Sequence, residues 1–227
     1  MEVKELINEE LKNYSVNQMI PSERFLAMKY QCSRETVRKA YEHLRANDKI
    51  YKVQNVGWFV SNKKIQYYPS AIDNFNRYLS AQGFSADTIF VSAQHRLTDF
   101  QGREHFDPLF YSAGFWEIIR LRYADGVPVL LEYNYLPVDL FPNFLDYDVL
   151  PSVETVVMKH FKVSYTSSRL KIQKTAVTPE QSQHLGIPST QTAIWIERIS
   201  KSFDQVIEFD IEIWGEDKIE MILDVNA

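Results

Sequence analysis

Seven consecutive residues hold five side chains able to grip a polyanion, Ser33, Arg34, Thr36, Arg38 and Lys39, with Glu35 among them. Val37, Ala40, Tyr41 and Leu44 follow the i, i+3, i+4, i+7 pattern of a helix with one apolar face. At about 100° per residue, Arg34, Arg38 and Arg45 share one flank, and Glu35, Lys39 and Glu42 point away from the core face. Arginine grips guanine edges or phosphates, short hydroxyls such as Ser33 and Thr36 suit backbone phosphates, and Glu35 accepts from cytosine or pairs with Lys39 at i, i+4. The plainer alternative is a solvated outer helix face.

A second constellation lies in Phe115–Pro137, FWEIIRLRYADGVPVLLEYNYLP, which reads as a β-hairpin. A two-residue Asp125-Gly126 loop pairs Ala124 with Val127 and mixes charged and aliphatic residues on each face. A three-residue loop with Gly126 in a left-handed bulge pairs Tyr123 with Val127. Ile119, Leu121, Val129, Leu131 and Tyr133 then share an apolar face, with Arg120, Arg122 and Glu132 on the other. Register follows the buried face, so the three-residue loop is expected. Two arginines suit a phosphate or carboxylate, and a glutamate suits hydroxyls or an amine. The plainer alternative is a surface pair of Glu132 with Arg120.

The elements that position these groups fall into two blocks. Residues 3–14 put Val3, Leu6, Ile7, Leu11 and Tyr14 on one helical face. Ser22 caps a second helix to about Tyr30, and Ser33 caps a third to about Ala46. Ile50–Gln54 and Trp58–Val60 form a hairpin around Asn55-Val56-Gly57, with Gly57 supplying a permissive backbone. Three helices and a hairpin describe a winged helix-turn-helix over residues 1–62. Polar residues 63–71, with Pro69, read as a linker. The remainder, 72–227, is strand-rich in Thr88–Ala93, Phe115–Tyr123, Val127–Leu136, Ser168–Val177, Thr192–Lys201, Val206–Trp214 and Lys218–Val225. Helices are expected at Ser152–Phe161 and Pro179–Leu185, the latter with Thr178 at its cap and Gly186 at its exit. The expected class is α+β, built on an antiparallel sheet.

Charge divides along the same line. Residues 1–66 carry 12 Lys and Arg against 8 Asp and Glu, a net +4; residues 67–227 carry 13 against 22, a net −9. A basic block suited to a polyanion is therefore joined to an acidic one. The single cysteine, Cys32, fits a reducing compartment and excludes an internal disulfide. The N-terminal residues lack the apolar core of a signal peptide, and no stretch of about 18 apolar residues exists to span a membrane. A cytoplasmic protein is expected. The five histidines are scattered without metal-ligand spacing, and no phosphate-binding glycine loop is present, so neither metal nor cofactor is expected.

Ile20–Leu44, with Pro21-Ser22-Glu23-Arg24 and Ser33-Arg34-Glu35-Thr36-Val37-Arg38, closely resembles the GntR family of bacterial transcription regulators. The resemblance implies DNA contacts by Arg24, Ser33, Arg34, Thr36 and Arg38. Glu35, Lys39 and Gly57 of the wing complete the expected DNA-binding set. The wing carries Asn55 and Val56 where the family often has glycine and a basic residue. The later chain, from about Ile72 to Val225, resembles the UTRA effector-binding domain of the family's HutC branch, which is similar to chorismate lyase in fold. The residues that carry this are Arg120 and Arg122, Ala124–Pro128, Glu132 with Tyr135 and Pro137, Ser152, and Glu208. It implies effector contacts by Phe75, Asn76, Arg120, Arg122, Glu132, Ser152 and Glu208. Asn76 stands where branch members that sense amino-sugar phosphates have serine. Glu208, Asp210 and Glu212 alternate along one strand face, expected to be solvated with only Glu208 reaching a ligand.

These readings combine into a homodimeric transcription regulator, a repressor, on a palindromic double-stranded operator. A small anionic metabolite such as a phosphorylated sugar controls it. The alternative is an enzyme of the chorismate-lyase fold that carries a DNA anchor.

Overall fold

The computed structural model describes residues 3–47, 49–54, 56–61, 64–69, 74–96, 100–108 and 111–223. Asn55 of the wing, residues 62, 63 and 70–73 around the expected linker, and Val225 lie outside them. The chain divides into two compact units, Met1–Lys64 and Ile65–Ala227.

In the first unit the order is α1 (Val3–Leu11), β1 (Met19–Ile20), α2 (Glu23–Lys29), α3 (Arg34–Ala46), β2 (Ile50–Val53) and β3 (Gly57–Val60). Ser22 and Ser33 cap α2 and α3 by accepting from Phe25 N and Thr36 N. Each cap satisfies an amide that the helix leaves open, worth about 1 kcal/mol. The apolar stripe of α3, Val37, Ala40, Tyr41 and Leu44, packs on Ile7, Leu26 and Trp58. Tyr41 meets Trp58 edge-on at 5.1 Å and donates its hydroxyl to Pro21 O at 2.6 Å. The two-residue β1 is too short to leave a period in the sequence. It completes an antiparallel sheet β1-β3-β2.

The second unit runs β4 (Ile65–Tyr67), α4 (Phe75–Ala81), β5 (Ala86–Arg96), β6 (Phe115–Ala124), β7 (Val127–Pro137), α5 (Val153–Val156, continued by a π turn to Phe161), β8 (Ser167–Ala176), α6 (Pro179–Leu185), β9 (Thr192–Ser202), β10 (Gln205–Gly215) and β11 (Ile219–Met221). Six strands form one antiparallel sheet, β5-β6-β7-β10-β9-β8. Two corrections concern its margins. Ile65–Tyr67, read from the sequence as linker, is a strand, and it pairs in parallel with β11, which stands outside the main sheet. Buried Ile65 and Ile219 hold this ribbon against Phe75, Leu79 and Trp214.

The β6–β7 turn corrects the expected register. Asp125 and Gly126 both have positive φ, 51° and 75°. Ala124 pairs with Val127, so the loop has two residues of the kind whose twist matches a hairpin. The register then shifts between Arg122 and Tyr123, which restores Leu121 opposite Leu131 and sets Arg120 opposite Glu132. The bulge reconciles a two-residue turn with segregated faces. The expected partition of Arg120, Arg122 and Glu132 from Leu121 and Leu131 stands, reached by a different turn.

Alternation gives the sheet two unlike faces. One packs Phe115, Leu121, Leu131, Phe209, Ile211 and Ile213 into an apolar layer with Phe106, Tyr111 and Leu185. The other carries two separate apolar clusters. Phe75, Leu79, Leu130, Ile196 and Trp214 make one, and Ile118, Leu136, Phe141, Phe144, Val153 and Val157 the other. Arg120, Arg122, Glu132, Asn134, Glu208, Asp210 and Glu212 alternate with the apolar layer and occupy the ground between those clusters.

Candidate functional site

In the first unit, α3 presents Arg34, Glu35, Thr36, Arg38 and Lys39 to solvent, while its opposite stripe is buried. Ser33 Oγ lies 2.8 Å from Thr36 Oγ1 and accepts from Thr36 N at 3.1 Å. Its structural job is the cap, and both hydroxyls remain at the helix start. Glu35 pairs with Arg38 at i, i+3, not with Lys39. Arg24, Arg34 and Lys39 have no ion-pair partner among the described residues, so their charges are available to an external anion. The expected DNA-facing residues of α2 and α3 thus share one exposed, positively charged side. Gly57 opens β3 at the wing.

In the second unit, a cavity of about 150 Å³ lies on the polar ground of the sheet. Glu132 is its organising group. One oxygen, Oε2, lies 2.8 Å from Arg120 Nη2 and 2.8 Å from both Nε and Nη2 of Arg122. Burial would push this carboxyl up, but the two guanidinium groups outweigh it and hold the pKa at about 2. Arg120 also donates to Val149 O at 2.8 Å, Leu150 O at 3.1 Å and Asn134 Oδ1 at 2.9 Å. Burial, then the neighbouring Arg122, pulls its pKa down to about 10. Arg120 therefore ties the loop before α5 to the sheet. Arg122 has fewer partners: its Nη1, like Nε of Arg120, is buried without a hydrogen-bond partner, and its guanidinium carbon stands 4.7 Å from the Phe75 ring centre.

A second cluster adjoins the first. Asn134 donates to Asp210 Oδ1 at 2.6 Å and to Glu208 Oε1 at 3.2 Å, and Tyr165 donates to Glu208 Oε2. Burial raises the pKa of Glu208, and burial plus the Glu208 carboxylate raises that of Asp210. Two adjacent buried carboxyls disfavour each other's ionisation. The third cluster joins Glu212 to Arg198 at 3.2 Å, to Tyr67 OH at 2.7 Å and to Trp214 Nε1 at 3.0 Å. The expectation that Asp210 and Glu212 are solvated is wrong. Both are buried: Glu212 lies under Tyr67 of β4 and beside Trp214, and Asp210 lies against Asn134 and Glu208.

Of the expected effector residues, Phe75, Arg120, Arg122, Glu132, Ser152 and Glu208 line the cavity. Asn76 is not in the lining; its Oδ1 is buried without a partner. Ser152 caps α5 by accepting from Thr155 N at 3.0 Å. Sequence reading did not assign Asn134, Tyr165, Arg198, Asp210, Glu212 or Tyr67 to the site. The period of two from Glu132 and Glu208 reaches Asn134, Asp210 and Glu212, so that signal was present. Among the described residues, no group of three or more His, Cys, Asp or Glu side chains is placed to hold a metal ion. No helix among them is long and apolar enough to cross a membrane.

Both units match described protein families. Residues 1–60 match the family described as bacterial regulatory proteins, gntR family, and residues 109–220 match the UTRA domain. The chain is 25% identical over 210 residues to the HTH-type transcriptional regulator YihL of Escherichia coli (strain K12), covering 91% of this chain and 88% of that one. It is 22% identical over 205 residues to the HTH-type transcriptional repressor NagR of Bacillus subtilis (strain 168), covering 87% and 82%. The crystal structure of PhnF from Mycobacterium smegmatis shares the fold, with a TM-score of 0.70 at 21% identity over 99% of both chains. These relatives are transcriptional regulators, not enzymes, which sets aside the alternative of an enzyme with a DNA anchor. With a DNA-binding helix-turn-helix in its first unit and an effector-binding UTRA domain in its second, the chain belongs to the HutC branch of the GntR family of transcription regulators.

Proposed function

We propose that this regulator is a cytoplasmic homodimeric repressor that holds a palindromic operator through paired α3 helices and releases it when a small anionic metabolite, such as a phosphorylated sugar, occupies the charged cavity. Arg34 and Arg38 read the operator, with Arg24, Ser33, Glu35, Thr36 and Lys39 around them. A single unit with a net +4 offers few phosphate contacts, and two-fold symmetry doubles them.

The observation that carries the effector reading is the unpaired Nη1 of buried Arg122 in the cavity lining. A buried donor without an acceptor costs about 1–3 kcal/mol, and an anionic oxygen of a ligand recovers it. Arg120 also keeps one buried N–H, Nε, without a partner, but four acceptors already hold its guanidinium, so Arg122 is the anion partner and Arg120 its support. Glu208 and Asp210, whose ionisation burial opposes, add polar groups for ligand hydroxyls. The test is a thermal-shift screen against phosphorylated sugars, followed by calorimetry of the best hit on wild type and Arg122→Gln. A loss of about tenfold or more is expected; equal affinity removes the site assignment.

A further inference from the structure

A second cavity of the second unit, of about 360 Å³, lies against β8, β9 and β10. The strand register decides which side chains meet there. Ser167 pairs with Lys201, Lys201 with Val206, and Arg169 with Ile199. Residues opposite each other in a ladder share a face, so these five stand together. Ile199 and Val206 pack on the apolar layer, so this face is turned away from the cavity of Arg122. His105 adds to the lining, its ring tilted over Phe209 at 5.4 Å. The charges here are unbalanced. The other cations of β8 and β9 each hold a carboxylate: Lys171 with Glu197 at 3.3 Å, Lys174 with Glu216 at 2.6 Å and Arg198 with Glu212 at 3.2 Å. Exposed Arg169 and half-buried Lys201 have no side-chain partner among the described residues. They are diagonal neighbours across the ladder, a spacing of about 7–8 Å. No carboxylate of the described residues lines the cavity, and Glu104, 3.8 Å from His105 Nε2, is 72% exposed and outside the lining. Residues 67–227 carry a net −9, yet none of those carboxylates is placed between these two cations. Two like charges side by side repel, and an anion seated between them removes the repulsion.

We propose that this cavity binds a phosphate monoester, with its phosphoryl oxygens on Arg169 and Lys201 and its organic body on Ile199 and Val206. The arginine fork takes two oxygens, and lysine acts as a point charge on a third. Ser167 supplies a hydroxyl and His105 a ring N–H. The half-buried aliphatic floor favours an ester over inorganic phosphate, because only an organic body covers it. The volume lies at the lower end of the range for small-molecule sites. The regulator then has two ligand sites on opposite faces of one sheet, and the second fills without displacing a ligand of Arg122.

The test is calorimetry of the full chain with phenyl phosphate and with inorganic phosphate. Arg122→Gln removes the anion partner of the first cavity, so binding that survives it belongs elsewhere. Phenyl phosphate should bind the Arg122→Gln protein at one site per chain, and more tightly than inorganic phosphate. Adding Arg169→Gln or Lys201→Gln should weaken that binding about tenfold or more, the worth of one charge-assisted hydrogen bond. Adding Lys201→Arg instead should keep it. Circular dichroism checks that each variant folds. Loss of binding on Arg122→Gln alone overturns the proposal, because it returns the ligand to the first cavity. So does unchanged affinity in the Arg169→Gln and Lys201→Gln proteins, or no binding of phenyl phosphate at millimolar concentration. Equal affinity for the two phosphates overturns the assignment of an ester.

Discussion

Arg198 donates to the hydroxyl of Tyr67 at 2.7 Å, linking strand β9 to the first strand of the second unit. The same guanidinium donates to Pro69 O at 3.1 Å, and the Tyr67 hydroxyl donates to Glu212. The segment that follows the DNA-binding unit is thereby pinned inside the cavity wall. Burial opposes the charge on Arg198, but the Glu212 carboxylate more than compensates and raises its pKa above the usual value. Tyr67→Phe should remove the shared hydroxyl and cost about 1–3 kcal/mol, read as a lower denaturation midpoint in urea. It should also weaken the effect of effector on operator binding, since a ligand acts only through differential affinity for two arrangements. An unchanged midpoint and response would show that the clamp has no weight.

Arg34→Ala should lower operator affinity by about 1–3 kcal/mol, roughly 5–150-fold, if this arginine reads a base. The residue is exposed and off the buried stripe of α3, so the melting temperature should stay within experimental error of wild type. Gel-shift titration and a thermal melt check both halves.

Arg120→Ala and Arg122→Ala should behave differently despite lying two positions apart. Removing Arg120 leaves Glu132 to Arg122 but strips the donor from the carbonyls of Val149 and Leu150 and from Asn134 Oδ1, and each buried polar group left unpaired costs about 1–3 kcal/mol of stability. Arg122→Ala leaves Arg120 to hold Glu132, so its larger effect should fall on ligand affinity. Chemical denaturation beside calorimetry separates the two. Equal destabilisation would refute the division of roles.

Two carboxyl groups give opposite pH signatures. Glu132 has a depressed pKa of about 2 against an ordinary 4.5, so its contribution is present above about 4.5 and is lost as pH falls toward 2. Asp210 has a raised pKa through burial and the adjacent Glu208, so its protonated form favours the fold. That contribution is complete below the ordinary value of 3.8 and is lost as pH rises through the raised one. Asp210→Asn removes the charge while keeping an acceptor, and it should flatten the fall of stability toward alkaline pH. Denaturation midpoints measured from mildly acidic to mildly alkaline pH test this, and a wild-type slope in the variant would contradict it.

Light scattering at micromolar concentration should give twice the 26.6 kDa mass of one chain. A monomer would leave only one α3 per particle and would remove the argument for a palindromic operator.

Helix α3, its exposed arginines and the split of hairpin faces are legible in the chain alone, because each rests on local regularities. The stripe Val37, Ala40, Tyr41, Leu44 has helical spacing, Ser22 and Ser33 cap within three residues, and Arg120, Arg122 and Glu132 alternate with aliphatic neighbours. Tertiary structure alone decided what those charges do. Arg120 and Arg122 converge on one oxygen of Glu132 because a bulge, invisible in the composition of the Ala124–Val127 turn, corrects the register. Glu212 loses water to Tyr67, which meets it from 145 positions away, and Asp210 loses it to Asn134 and Glu208 on neighbouring positions of the sheet. A period along the chain shows which residues share a face. Whether that face is wet depends on segments that return to it from far away, and that return decides whether a carboxylate is a solvated charge or part of a binding cavity.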